Sequence, residues 1–118
     1  MKLMSFFATW PQICDHSKTV TRRMRCGLKP GERFQAVRQR QGLPKGAKVE
    51  RGPVLECVSN ICTPLWGGMF PADLVAEGFS RSSIKEFVEM FCELNRGCTP
   101  ETLVHRVEFK YVVEEGGK

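Results

Sequence analysis

The sequence predicts an α+β domain, a small and partly closed β-barrel with short helices at its flank. Three observations lead there. Most apolar segments are β-branched or alternate with polar residues, the pattern of strands with one buried face. One segment, Ser83 to Leu94, has helical spacing instead, with caps at both ends. That segment and a shorter helix fall between the last two strands, which mixes the classes without the strict alternation of a parallel βαβ fold.

Lys2 to Ala8 is short, apolar and aromatic, and reads as a strand. Thr9-Trp10-Pro11 supplies an N-cap and a proline suited to a first helical turn, so Pro11 to Asp15 reads as one short helix. From Thr19 to Met24 the β-branched run favours a strand, with Thr19, Thr21 and Arg23 on one face and Val20 and Arg22 on the other. Leu28-Lys29-Pro30-Gly31 is a turn, and Arg33 to Arg38 resumes as a strand. Gln39 to Arg51 carries Gly42, Pro44 and Gly46 among basic residues, a long basic loop or hairpin tip.

Pro53 to Ile61 alternates as a half-buried strand, Leu55, Cys57 and Ile61 opposite Glu56 and Asn60. Trp66 to Pro71 is aromatic and turn-rich. Pro71 to Ala76 starts a short helix that stops at Gly78, leaving Glu77 where a carboxylate opposes the helix dipole and calls for solvent or a cationic partner. Ser83 and Glu86 form a capping box ahead of Ile84, Phe87, Val88, Phe91 and Leu94, and Arg96-Gly97 ends that helix. Leu103 to Val113 is the last strand, with Val107, Phe109, Tyr111 and Val113 facing the core. Residues 1–113 are expected to form a single domain and 114–118 a fraying tail.

The net charge of +5 conceals an asymmetry. Between Lys18 and Arg51 there are eleven Lys/Arg against Glu32 and Glu50, whereas Gly52 to Lys118 has six against ten Asp/Glu. The front half is thus a candidate polyanion surface, with Arg38, Arg40, Lys45, Lys48 and Arg51 as candidate phosphate contacts. Trp66 is a candidate for stacking on a base. The six cysteines include no C-x-x-C pair and no ligand-like His spacing, so reduced thiols, a cytoplasmic setting and no metal or other cofactor are expected. Met1 to Trp10 is a short apolar run without a cleavage-site pattern, and no segment approaches the roughly 20 apolar residues of a membrane span.

One stretch, His16-Ser17-Lys18-Thr19-Val20-Thr21-Arg22-Arg23-Met24-Arg25, concentrates an amine, hydroxyls and guanidiniums in ten residues. Lys18 and Thr21 can face one small site, with Arg22, Arg23 and Arg25 suited to an anion or a carbonyl oxygen. A solvated basic surface accounts for the same residues without any chemistry.

Met4-Ser5-Phe6, Ser17 to Arg23, Leu28 to Phe34, Ala76-Glu77-Gly78-Phe79 and Val107-Glu108-Phe109, in this order, resemble the activating-signal-cointegrator homology (ASCH) family, particularly its short phage and bacterial members. The resemblance spans about Leu3 to Tyr111. It implies a PUA-like β-barrel with a cleft for a nucleic acid or nucleoside, and a G-x-K-x-x-x-x-R signature. Lys18 and Arg23 fit that signature, with His16 at the glycine position, where a left-handed turn costs a side chain more than it costs glycine.

One branch of the family, the small amidohydrolases that deacetylate N4-acetylcytidine, is similar in a Lys, a Thr three residues on and a distant Glu, positions occupied here by Lys18, Thr21 and Glu77. The resemblance implies these as catalytic residues. In one assignment Thr21 attacks the amide carbonyl, Lys18 takes its proton, and a backbone N–H or Arg23 holds the oxyanion. If Glu77 sits directly on Lys18, its charge favours the protonated amine, and Glu77 becomes the better base with Lys18 as cationic stabiliser. Without catalysis, a Lys–Glu pair simply closes a barrel mouth.

The expected partner is a modified nucleoside or single-stranded RNA, with no membrane; the sequence leaves a protein partner unknown. Beside the hydrolase stand a non-catalytic RNA-binding module, its variant as a weak ribonuclease, and a phage-type protein-interaction module. His16 and His105 are read as structural.

Overall fold

The computed structural model describes residues 1–67 and 69–113, so the predicted tail at 114–118 lies outside the described residues. In chain order the elements are β1 (Lys2–Ser5), α1 (Trp10–Cys14), β2 (Val20–Arg23), β3 (Arg33–Val37), β4 (Arg51–Pro64), α2 (Pro71–Glu77), α3 (Ile84–Leu94) and β5 (Leu103–Tyr111). The strands form one sheet in the order β1-β3-β4-β5-β2, with β1 parallel to β3 and every other pair antiparallel. A parallel pair cannot be joined by a hairpin, and the crossover between β1 and β3 carries both α1 and β2.

The sheet curls into an open half-barrel. Its two edge strands, β1 and β2, are linked where Arg23 Nη2 donates to the Ser5 carbonyl at 2.7 Å. A side chain does there what a row of ladder bonds does inside the sheet. Phe6, Ile13, Phe34, Leu55, Val107 and Phe109 fill the curl. A second core joins Leu74 of α2 and Phe87, Val88 and Phe91 of α3 to Leu65 and Val104.

Several boundaries differ from the sequence expectation. β1 stops at Ser5 rather than Ala8, and Phe7 is exposed, because the chain must turn there to enter α1. Thr9 precedes α1 but makes no side-chain cap bond. Val20, Thr21 and Arg22 are all buried instead of alternating, since β2 is covered on both faces, by the core and by α2.

β4 is longer than expected and changes face partway. Leu55 and Cys57 are buried as predicted, but Ile61 is 54% exposed. The register against β5 slips between Cys57 and Ser59, and one extra residue in a strand of period two turns every later side chain over. Asn60 consequently points inward, where its Nδ2 donates to the Cys26 and Leu28 carbonyls at 3.1 and 2.8 Å. Val113, expected on the core face, lies beyond the end of β5 and is exposed.

The capping box at Ser83 and Glu86 forms with both reciprocal bonds, at 3.1 and 2.8 Å. Near the start of β4 the Trp10 ring packs directly on Gly52. A Cβ there would come within 2.6 Å of Trp10 Cη2, closer than carbon atoms approach. Gly52→Ala is therefore expected to destabilise the fold by about 1–3 kcal/mol. Urea denaturation followed by tryptophan fluorescence checks this, and an unshifted midpoint would contradict the close packing.

Candidate active site

The turn after α1 delivers Lys18 to the interior. The Ser17 and Lys18 amides both donate to the Gln12 carbonyl, at 2.9 and 3.1 Å, and Asp15 accepts from the Ser17 amide at 2.8 Å. This reversal requires one left-handed residue, and His16 supplies it with φ 66°. Histidine tolerates that region better than most side chains. Its ring stacks on Tyr111 at 4.1 Å and 15°, and the Tyr111 hydroxyl donates to the Lys18 carbonyl at 2.6 Å. The conformational cost at His16 is thus set against a contact that glycine cannot make.

Further along, the Thr19 amide donates to the Ala76 carbonyl at 2.8 Å, tying this segment to the end of α2. Gly78, left-handed with φ 92°, ends α2, and Phe79 turns back so that its ring centroid lies 5.9 Å from Lys18 Nζ. The packing makes Gly78 specific, because a Cβ there would meet Gln12 and Thr9 at 3.2 Å.

Lys18 and Glu77 are each only 2% exposed and Thr21 3%. Lys18 Nζ donates to both the backbone carbonyl and Oε1 of Glu77, the latter at 3.2 Å. Arg22 Nη1 takes the other carboxylate oxygen at 2.8 Å, and Arg22 Nη2 reaches Asp73 Oδ2 at 3.0 Å. Asp73 also accepts from Arg106 at 3.1 Å, on the strand position paired with Arg22. The dipole conflict at Glu77 is thereby met with two cations and with an ammonium at the last carbonyl of the helix.

Burial pushes the Lys18 amine down to about 8. Glu77 pulls the other way, and Arg23 and Arg22 add to the lowering. Burial likewise raises the Asp73 carboxyl, but the hydrogen bonds from Arg106 and Arg22 outweigh it and hold Asp73 below its usual value. Arg23 Nε donates to Thr21 Oγ1 at 3.1 Å, so that hydroxyl accepts from a guanidinium and keeps its own proton free to give. The Arg23 guanidinium also lies 4.9 Å from the centre of the Phe6 ring.

Lys18, Thr21, Arg22, Arg23 and Glu77 all line one cavity of about 380 Å³. The rest of its wall is largely apolar, with Phe6, Phe79, Phe87, Met90 and Phe91 beside the polar Ser5, Thr9 and Asn95, and with Phe7 and Leu94 exposed at the rim. The other residues singled out in the sequence lie elsewhere. Arg25 and Arg40 line a neighbouring groove. Trp66 is 54% exposed in the connection from β4 to α2 and does not line the cavity. Arg38 pairs with Glu50 at 3.4 Å and lies 5.7 Å over the Phe7 ring, while Lys45, Lys48 and Arg51 are exposed and line neither concavity.

Sequence reasoning missed Asp73 and the aromatic wall. Asp73 carried a usable signal, standing four residues before Glu77 and so on the same face of α2. The phenylalanines of α3 were assigned to the core and serve core and cavity together. His105 Nδ1 is hydrogen-bonded to Asn60 Oδ1 at 2.9 Å, outside the cavity. Among the described residues no helix is long and apolar enough to cross a membrane, and no group of three or more His, Cys, Asp or Glu is placed to hold a metal ion.

No protein-family model matches the sequence, and no curated protein matches it significantly. Solved structures do. Protein EF3133 of Enterococcus faecalis V583, of the DUF984 family, superposes with a TM-score of 0.66 at 13% identity, covering 94% of this chain and 79% of its own. The hypothetical protein PH0355 gives 0.65 at 13% identity, covering 95% and 100%. An ASCH domain from Lactobacillus crispatus JV V101 gives 0.58 at 12% identity, covering 93% and 78%. The curled five-stranded sheet with its short flanking helices is a small α+β, PUA-like fold, similar to that of the Lactobacillus ASCH domain.

Proposed function

We propose that the cavity binds a nucleobase or nucleoside and that Lys18, Thr21 and Glu77 hydrolyse the N4-acyl group of an acylated cytidine. The observation that carries this reading is the convergence of three buried polar side chains, Lys18 and Thr21 from one segment and Glu77 from the distant end of α2, on one largely apolar cavity with an amine lowered to about 8. Its size lies within the range of small-ligand sites, and flat aromatic walls suit a flat heterocycle.

The geometry favours Lys18 over Glu77 as the base. Both Glu77 oxygens already accept from cations, and this carboxylate anchors Lys18. With its amine at about 8, about one Lys18 in ten is neutral at pH 7, against one in a few thousand for a free lysine. In the reaction, neutral Lys18 takes the Thr21 proton as Oγ1 bonds to the acyl carbon. Arg23, bonded to Thr21 Oγ1, places positive charge beside the oxyanion that forms. Collapse breaks the C–N4 bond, the Lys18 ammonium returns its proton to the leaving amine, and the acyl group remains on Thr21. Water, giving its proton to Lys18, then releases the carboxylic acid and restores the hydroxyl.

Incubation of the purified protein with N4-acetylcytidine, followed by mass spectrometry, tests this. Cytidine and acetate are expected from the wild type and not from Thr21→Val. A folded wild type that produces neither would remove the substrate assignment.

A second reading, an RNA-binding module that holds one unstacked base, is favoured by Phe7, 60% exposed at the rim. It predicts affinity for single-stranded RNA that falls steeply with salt, whether or not Thr21 is intact.

A further inference from the structure

A second concavity, of about 470 Å³, adjoins the cavity and shares Ser5 and Arg23 with it. Its charged lining is Arg23, Arg25 and Arg40, with no acidic side chain. Arg22, Arg33, Arg38 and Arg106 each have a carboxylate partner, whereas Arg23, Arg25 and Arg40 have none among the described residues. Arg51, Arg81 and Arg96 also lack a carboxylate partner among the described residues, but they line neither concavity. Three guanidiniums around one hollow without a counter-charge repel one another and concentrate positive potential there.

The available donors point to one kind of guest. Arg23 is held by Nε on Thr21 and Nη2 on Ser5, and its Nη1 bonds to no protein group among the described residues. Arg40 is held through Nη1 on the Leu3 carbonyl, at 3.2 Å, which leaves Nε and Nη2 for a ligand. Arg25, exposed, makes no hydrogen bond or ion pair among the described residues. Forked, planar donors around a pocket match the oxygens of a phosphate better than a single carbonyl.

We propose that this groove is a phosphate subsite, so that the ligand is a nucleotide whose base enters the cavity, whose ribose crosses the Ser5–Arg23 seam, and whose phosphate lies between Arg25 and Arg40. The inference rests on the nucleobase reading of the cavity and adds the phosphoester as the second recognised group. The phosphate belongs either to a mononucleotide or to an RNA strand.

Titration calorimetry at low salt, with the full chain, tests it using cytidine, cytidine 5′-monophosphate, inorganic phosphate and a cytidine-containing trinucleotide. The monophosphate is expected to bind at least about tenfold more tightly than cytidine, as charge-assisted hydrogen bonds allow. In Arg25→Ser/Arg40→Ser, both at exposed positions, that ratio falls toward one. Equal affinities in the wild type, or a ratio that the double variant leaves unchanged, would overturn the subsite.

If neither cytidine nor its monophosphate binds, the nucleobase reading of the cavity fails. The subsite is then judged on inorganic phosphate: binding that the double variant abolishes supports it, and no binding overturns it. A trinucleotide that binds as well as the monophosphate assigns the phosphate to a strand, and one that binds as weakly as cytidine assigns it to a mononucleotide.

Discussion

Glu77→Gln is expected to destabilise the protein by about 3–5 kcal/mol, the cost of breaking a buried ion pair from one side. For a chain of this size, that lowers the melting temperature by about 10–20 °C. The reason is local. Glu77 Oε1 and Oε2 separately face the Lys18 ammonium and the Arg22 guanidinium, all within a region closed to solvent. An amide offers one acceptor and one donor, so whichever way it turns, its NH₂ faces a cation. Lys18→Met is expected to cost markedly less, since Glu77 keeps Arg22 and Arg22 keeps Asp73. Thermal melts of the three proteins by circular dichroism give the order directly. A Lys18→Met variant less stable than Glu77→Gln would mean that the carboxylate is not the hub of this cluster.

The second large effect is on rate. Lys18→Met is expected to lower turnover of an N4-acyl cytidine by about 10²–10⁴-fold, the usual contribution of a positioned base. The wild-type rate should rise with pH and level off above about 8, because the neutral amine is the active form and burial sets where it appears. Glu77 raises that value and Arg23 and Arg22 lower it, which gives the signs for further variants. Arg23→Gln is expected to shift the rising limb upward in pH, through loss of a neighbouring cation, and to lower the plateau, through loss of charge beside Thr21. A wild-type rate that falls as pH passes through 8 would show that protonated Lys18 is the required form and return the role of base to Glu77.

Much of this was legible in the chain. The capping box at Ser83, the proline and glycine bracketing α2, and the alternation of Val107 and Phe109 place their elements because each depends on neighbours close in sequence. The conflict at Glu77 was legible too, as a carboxylate at the wrong end of a helix and in need of a cation. That the cation is Lys18, 59 residues away, came only through the family resemblance and not from the residues themselves, because the packing of α2 against β2 is what brings them together.

The sequence by itself therefore determined the class of fold, the strands and helices that build it, and the residue types gathered around Lys18, all of which follow from periodicity, turn chemistry and local charge. The tertiary structure alone decided which groups meet. A one-residue bulge in β4 turned Ile61 outward and Asn60 inward, a relation between two strands that no single strand contains. Curling of the sheet brought Arg23 to Ser5 and so divided one basic stretch between the cavity and the neighbouring groove. Desolvation lowered the Lys18 amine to about 8, because the energy of a charge depends on how much water surrounding chain excludes, and that exclusion is a property of the packed molecule.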